Sequence, residues 1–195
     1  MAEKTKTGLF SGSFNPIHTG HLVIAQHIWQ HTALEEVWFV VSPQNPLKPG
    51  QEFLAEKDRL KLVKLGISGN PAFHASDIEF GMGSPSYTVR TLKKLTDRHP
   101  RREFVLIIGS DNLEVFDQWK DYEEILEMAG IFVYPRPGHA GKPAVSHPGI
   151  IPVKAPLLEI SSTRIREMIR GGKDPRYLLP EKVYKRIVKK GYYRG

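Results

Sequence analysis

Apolar positions along this chain follow two alternating rhythms. Four short runs, Thr7–Ser11, Glu36–Val41, Glu103–Gly109 and Ile131–Tyr134, are continuously or almost continuously apolar. Runs of this length predict buried strands, and unbroken rather than alternating apolarity suits a parallel sheet covered on both faces. Between them apolar residues recur at helical spacing. Leu22, Val23, Ala25, Ile28 and Trp29 predict a helix that starts near Thr19. Further helices are predicted near Leu54–Ile67, Tyr87–Arg98, Tyr122–Met128, Thr163–Ile169 and Pro180–Lys189. Strands alternating with helices predict a doubly wound α/β fold, with ligands outside the carboxyl ends of the strands. Pro135–Gly149 is rich in proline and glycine and predicts a loop, mobile or closing over a site, too short to link domains. With no internal repeat and no low-complexity tract, the expectation is one domain over residues 1–195, carrying a helical C-terminal extension from about 163 to 195.

The densest chemistry lies at the first strand-to-helix junction. Gly12, Ser13 and Asn15-Pro16 are turn formers, and the helix that follows begins with unpaired N–H groups and a partial positive charge, which attract phosphate. His18 and His21 are three apart and so are neighbours on one face of the first turn, and Gly20 between them lets a ligand approach the backbone. Two surface histidines around a cap would give the same spacing. So would a zinc site, but it needs further ligands, and a chain without cysteine shows no close cluster of histidines and carboxylates to supply them. A second helix start lies at Ile160–Arg166. There Ser161, Ser162 and Thr163 can cap the helix while its free N–H groups hold phosphate oxygens; the alternative is a plain N-cap with surface arginines. Arg164 and Arg166, two apart, face different sides, so one of them shares the hydroxyl-lined site. Other phosphate motifs are missing: there is no P-loop, and Gly81–Ser86 lacks the third glycine of a dinucleotide fingerprint.

Composition bounds the function classes. The chain of 195 residues is 40% hydrophobic and 25% charged, as a soluble globular domain would be. No apolar run approaches the roughly 20 residues of a membrane span. Cysteine is absent, which excludes disulfides, and no targeting segment is evident, which favours the cytoplasm. The net charge of +7 suits nucleic acid, an anionic membrane surface or a small phosphorylated substrate. Basic residues are dispersed except in two zones, Lys93–Arg102 and the tail Lys182–Arg194. Apolar residues interleave in both, so they read as solvated helix faces, with no nucleic-acid module beside them. Small-molecule partners are therefore expected, with neither nucleic acid nor membrane. The tail helix with Gly191-Tyr192-Tyr193 is free to pack on the domain or on a second copy in a homo-oligomer.

His18-Thr19-Gly20-His21, following Gly-Ser-Phe-Asn-Pro, resembles the H-x-G-H signature of the nucleotidyltransferase superfamily, which moves a nucleoside monophosphate from a triphosphate to an acceptor. Ile160–Arg166 resembles its I-S-S-T-x-I-R motif. Four more segments narrow the resemblance to the bacterial nicotinate-nucleotide adenylyltransferases. Ser86-Tyr87-Thr88 through Thr91-Leu92 is similar to their S-Y-T-x-x-T-L, and Gly109–Leu113 with Trp119 and Tyr122 to their G-x-D…W…Y. Tyr134–Gly138 is similar to their R-P-G loop and Tyr177–Val183 to their terminal Y-L-x-P-x-x-V, so the match runs in order along nearly the whole chain. One departure is the Ser42–Lys48 loop, which has Asn-Pro-Leu before the lysine where many members carry Pro-His.

The resemblance implies a Rossmann-like nucleotidyltransferase fold, a parallel sheet with helices on both faces. It implies adenylyl transfer from ATP to nicotinate mononucleotide, giving nicotinate adenine dinucleotide and pyrophosphate in NAD biosynthesis, with Mg2+ carried by the substrate and not by protein side chains. His18, His21 and Arg166 would be catalytic, His21 nearest the α-phosphorus. Gly12, Ser13, Phe14, Gly20, Lys48, Gly109 and Asp111 would contact ATP, and Ser161, Ser162 and Thr163 would hold the leaving pyrophosphate with Arg166. Asn15, Ser86, Tyr87, Thr88, Trp119 and Arg136 would receive the nicotinate nucleotide.

These residues also have readings of their own. Asp111 with Glu114 three residues on is a capping box, or a strand-end acceptor for ribose hydroxyls. Trp119 lies in a polar stretch, available to stack on a pyridine or to sit as a satellite of the core. Ser86 and Thr88 cap a helix next to Pro85 or receive a carboxylate there, while Tyr87 suits core packing. Nicotinamide mononucleotide, phosphopantetheine or a polyol phosphate are alternative acceptors, and a basic nucleic-acid-binding module is the alternative from another class. Ser86–Thr88 together with Trp119 favours a flat pyridine bearing a carboxylate.

Overall fold

The computed structural model describes residues 4–43, 53–83, 85–139 and 142–194, so Lys48 lies outside the described residues. Among these the strands are β1 (Thr5–Gly12), β2 (Glu36–Val41), β3 (Phe73–Ser76), β4 (Arg102–Gly109), β5 (Gly130–Tyr134) and β6 (Ile150–Pro152). They form one sheet in the order β3-β2-β1-β4-β5-β6, with every neighbouring pair parallel. The helices are α1 (Thr19–His31), α2 (Glu56–Ile67), α3 (Thr88–Arg98), α4 (Ser110–Leu113), α5 (Tyr122–Met128), α6 (Ser162–Arg170) and α7 (Glu181–Lys190). This is the doubly wound arrangement the sequence predicts, and the four long strands appear where the apolar runs place them. β3 and β6 were not anticipated. Both are edge strands of three or four residues; Phe73-His74-Ala75-Ser76 has no apolar run, and Ile150–Pro152 directly follows the Pro/Gly-rich loop.

Alternation along the central strands divides the interior into two cores, since successive side chains point to opposite faces. Phe10, Val105 and Ile107 join Ala25, Ile28, Leu62, Val63, Ile165, Val183 and Ile187 beneath α1, α2, α6 and α7. Leu9, Phe104, Leu106 and Ile108 join Val89, Leu92, Leu95, Phe116 and Ile125 beneath α3 and α5. Both faces of β1 and β4 are thus covered, which is why their sequences read as unbroken apolar runs.

The tail packs on the domain. Val183 and Ile187 of α7 are buried in the first core, Lys182 Nζ donates to Ser68 Oγ at 2.9 Å, and the Tyr192 hydroxyl donates to Asp58 Oδ1 at 2.7 Å. Part of the first basic zone is also occupied: Lys93 pairs with Glu124 at 2.8 Å, and Arg102 pairs with Glu36 while lying over the Trp38 ring. No helix among the described residues is long and apolar enough to cross a membrane.

Because α7 closes one core rather than decorating it, Ile187→Ala is expected to destabilise the fold by about 2–5 kcal/mol, the usual cost of truncating a buried aliphatic side chain. Urea denaturation checks this; a loss below about 0.5 kcal/mol would mean that the tail is peripheral.

Candidate active site

The connections from β1 and β4 run in opposite directions, to β2 on one side and β5 on the other, and leave a crevice at the carboxyl ends of the two strands. Two cavities occupy it. The larger, of about 310 Å³, is lined by Ser13, Phe14, His18, Gly20 and His21 from the β1–α1 junction, by Asp111, by Arg136, and by Ser161, Ser162, Thr163 and Arg166. The smaller, of about 140 Å³, is lined by Glu79, Ser86, Tyr87, Thr88, Gln118, Trp119 and Lys120. Ser11, Gly12, Ser13 and Asn112 border both, so the cavities meet over the end of β1.

The two helix starts singled out in the sequence converge on the larger cavity. α1 begins after His18 and α6 after Ser161, whose hydroxyl accepts the Arg164 N–H at 3.2 Å. Ser162 Oγ donates to Pro16 O at 2.9 Å and Arg166 Nη1 to Asn15 O at 2.8 Å, which ties the later helix to the earlier loop. Of the two arginines, Arg166 is buried in the site and Arg164 is exposed. Gly20, which lines the cavity, is also crowded by protein groups. A Cβ there would stand 3.1 Å from His18 Nδ1 and 3.4 Å from Ile160 Cβ, so the close neighbours are protein groups.

The His18 and His21 rings stack with centroids 3.7 Å apart, and the Phe14 ring meets the His21 ring edge-on at 5.1 Å. Phe14 takes a left-handed backbone (φ 45°), uncommon for a bulky residue and held here because its ring is buried in the first core. The His18 backbone N–H donates to His21 Nδ1 at 3.3 Å. That bond requires an unprotonated Nδ1, so the His21 ring carries its proton on Nε2 and offers it as a donor. Burial is the main cause holding both imidazoles neutral, with the Arg136 charge adding to it; His18 is pushed down to about 3, and the adjacent His18 further lowers His21.

The remaining expected residues fall into place unequally. Asp111 lies within the first turn of α4, after Gly109 as N-cap, and no capping box forms; its Oδ2 instead accepts from Arg136 Nη1 at 3.1 Å. A Cβ on Gly109 would come within 2.4 Å of Asp111 Oδ1 and 2.6 Å of Arg136 Cδ, so this pair can cross the strand end only over a glycine. Arg136 lies in the histidine cavity, not with Ser86 and Trp119. Asn15 lines neither cavity: it is fully buried, with Oδ1 accepting the Leu54 N–H at 3.2 Å. Trp119 is both satellite and wall, tilted against Phe116 at 5.2 Å while bordering the smaller cavity. Tyr87 caps α3 without a side-chain bond and lies under Lys120 and Arg90.

Sequence reasoning missed Asn112, Glu79 and Arg59. Glu79 is buried beside the smaller cavity and accepts the Thr91 hydroxyl at 3.0 Å. No spacing rule distinguishes it from a surface glutamate. The tail reaches behind the site as well: burial pushes the Tyr193 hydroxyl well up, with Arg166 and Arg59 close enough to pull against it.

The depressed histidines make stability depend on pH. Below about 6.5 the unfolded chain binds protons that folded His18 and His21 refuse, so stability falls as pH drops, by up to about 1.4 kcal/mol per pH unit for each histidine. The urea midpoint is expected to fall from pH 7.5 to pH 5.5, and to fall less in a His18→Asn/His21→Asn variant. An equal fall in both proteins would place the proton uptake elsewhere.

The comparisons agree with this geometry. The family model described as Cytidylyltransferase-like matches residues 9–168. A relative from Cytophaga hutchinsonii named "Probable nicotinate-nucleotide adenylyltransferase" is 50% identical over 188 residues, covering 96% of this chain and 98% of its own. One of the same name from Bacteroides fragilis is 50% identical, covering 95% and 92%. The solved nicotinic acid mononucleotide adenylyltransferase of Plasmodium falciparum, complexed with NaAD, superposes with a TM-score of 0.78 at 18% identity over 97% of each chain, a likeness of fold. With two helix starts converging on the sheet's switch point and near-full-length kinship on both sides, this chain belongs to the nicotinate-nucleotide adenylyltransferases of the cytidylyltransferase-like family.

Proposed function

We infer that this chain joins ATP to nicotinate mononucleotide, releasing pyrophosphate and forming nicotinate adenine dinucleotide. The observation that carries this is the meeting of the two cavities at Ser11–Ser13, one bordered by two helix N-termini and two histidines, the other by Trp119 and the start of α3. An oxygen of the 5′-phosphate of the mononucleotide attacks the α-phosphorus, the bond from that phosphorus to the bridging oxygen breaks, and the electron pair leaves with pyrophosphate. No protein nucleophile is needed. Holding the reactants in line supplies roughly 7–11 kcal/mol, whereas one helix terminus supplies about 0.3–2.

In this reading His21 donates from Nε2 to an α-phosphate oxygen, where charge builds in the transition state, and a neutral imidazole is sufficient for that. His18, stacked beside it, holds the ring and lines the phosphate path. Ser161–Thr163 and Arg166 receive the β- and γ-phosphates, with Arg136 adding positive charge from the opposite wall. Trp119 stacks on the pyridine, and the first turn of α3 with Ser86 and Thr88 accepts its carboxylate.

ATP enters as its Mg2+ complex. Asp111 is the carboxylate among the cavity's described lining residues and is already paired with Arg136, a donor set suited to a cation held by phosphate oxygens and water. When bound, Mg2+ neutralises phosphate charge. Lys48, outside the described residues, would add a further cation at the phosphates.

The deciding experiment follows pyrophosphate release from ATP with nicotinate mononucleotide, nicotinamide mononucleotide, phosphopantetheine and a polyol phosphate in parallel; nicotinate mononucleotide should give the highest kcat/KM. Little release with it, but rapid release with another acceptor, would reassign the smaller cavity. His21→Ala is expected to keep the fold and lower kcat by about 10²–10³, as for loss of one transition-state donor; near-wild-type turnover would remove His21 from the chemistry. Trp119→Ala should raise KM for the pyridine nucleotide and leave that for ATP unchanged, whereas an equal rise for both would contradict stacking.

A further inference from the structure

No sequence signal sets Arg59 apart from the other charges on α2, yet it is 1% exposed. It sits in the first turn of α2 and its guanidinium has four carbonyl partners. Nη1 donates to Ser13 O at 2.5 Å and to Ser42 O at 2.8 Å, Nη2 to Pro43 O at 3.0 Å, and Nε to Leu54 O at 2.8 Å. The loop leaving β1, the loop leaving β2 and the lead-in to α2 are thus held by one side chain. Its planar fork of five fixed donors is the only side-chain geometry that serves so many acceptors at once. Burying a cation is costly unless it is well satisfied, so these carbonyls have little freedom to turn away.

The Ser13 carbonyl matters most. In a trans peptide the N–H of the next residue points opposite to the carbonyl, so drawing Ser13 O toward α2 turns the Phe14 N–H away from α2. Ser13 and Phe14 both line the histidine cavity, and the Phe14 N–H makes no hydrogen bond to the described residues. Phe14 also carries the ring that abuts His21. Two further carbonyls of the same loop are held by residues that line the cavity, Asn15 O by Arg166 and Pro16 O by Ser162.

We propose that Arg59 is a positioning residue for adenylyl transfer: by gripping Ser13 O it aims the Phe14 N–H, and the His21 ring resting on Phe14, at the reacting phosphate. This rests on the function inferred above. Arg59 touches no substrate, and its effect passes through the Ser13–Phe14 peptide.

The test begins with the wild-type protein. Failure to form dinucleotide and pyrophosphate there would sink the functional reading and not this inference. Given activity, Arg59→Lys keeps the charge and stem but cannot span the four carbonyls. Its kcat is expected to fall about 100-fold, as for a reacting group displaced by about 1 Å, with KM for either substrate within about threefold of wild type. Ile187→Ala, destabilised through the same core, should keep the wild-type kcat. If Arg59→Lys keeps the wild-type kcat per folded molecule while losing stability, the residue is structural only and the proposal falls. A measurement that does not depend on the variant's folding uses amide NMR of the wild type. Saturating Mg-ATP without acceptor should shift the Phe14 amide strongly, and an unmoved Phe14 resonance would overturn the proposal.

Discussion

Between β1 and β4 the chain winds away in opposite senses, and no crossover helix can cover the carboxyl ends of those two strands. The other polar features of the site follow from this vacancy. β1 ends into the loop that becomes the first turn of α1, β4 ends into Ser110–Leu113, and α6 arrives from far along the chain with its N-terminus toward the same opening. A helix N-terminus elsewhere on a domain has water for its free N–H groups; two of them facing one crevice concentrate donors and positive potential at a single opening. Two cores, one on each face of the sheet, hold the strands that aim these termini.

The positive potential of the cavity does not come from its histidines. Stacked at 3.7 Å and largely withdrawn from solvent, the two imidazoles resist becoming imidazolium, and the Arg136 charge opposes it further. Fixed positive charge comes instead from arginines. Asp111 partly offsets one of them, while the Asn15 carbonyl and the Thr163 hydroxyl hold the other. Hydrogen bonds made by neutral donors in such surroundings are stronger than in water, and their orientation is set before substrate arrives. Arg59 belongs to the same design: a buried cation whose charge is spent on carbonyl dipoles, so that their partner N–H groups face elsewhere.

What the sequence revealed and what it concealed separate along a physical line. His18, Gly20, His21 and Ser161–Thr163 were legible because capping and the i, i+3 spacing act within one turn of chain. The four long strands were legible because burial on both faces forces an unbroken apolar run. β3 and β6 were not, since an edge strand of a few residues needs only a neighbour's backbone. The carbonyl partners of Arg59 and the burial of Asn15 were hidden for a related reason: a polar side chain satisfied by carbonyls or amides distant in sequence looks no different from one satisfied by water. Arg136 was expected beside the nicotinate nucleotide, and its sequence could not say on which wall of the crevice the loop after β5 would lie.

By itself, then, the order of residues determined the alternation of strands and helices, the two polar helix starts and the kinship they signal, all consequences of short-range periodicity and local hydrogen bonding. Only the tertiary structure decided that those helix starts share one cavity, that Arg136 crosses to Asp111 over Gly109, and that Arg59 and Arg166 hold the loop between them. Each of these depends on groups brought together from tens to about 150 residues apart, and chain closure over such distances is set by the packing of the whole sheet rather than by any local preference.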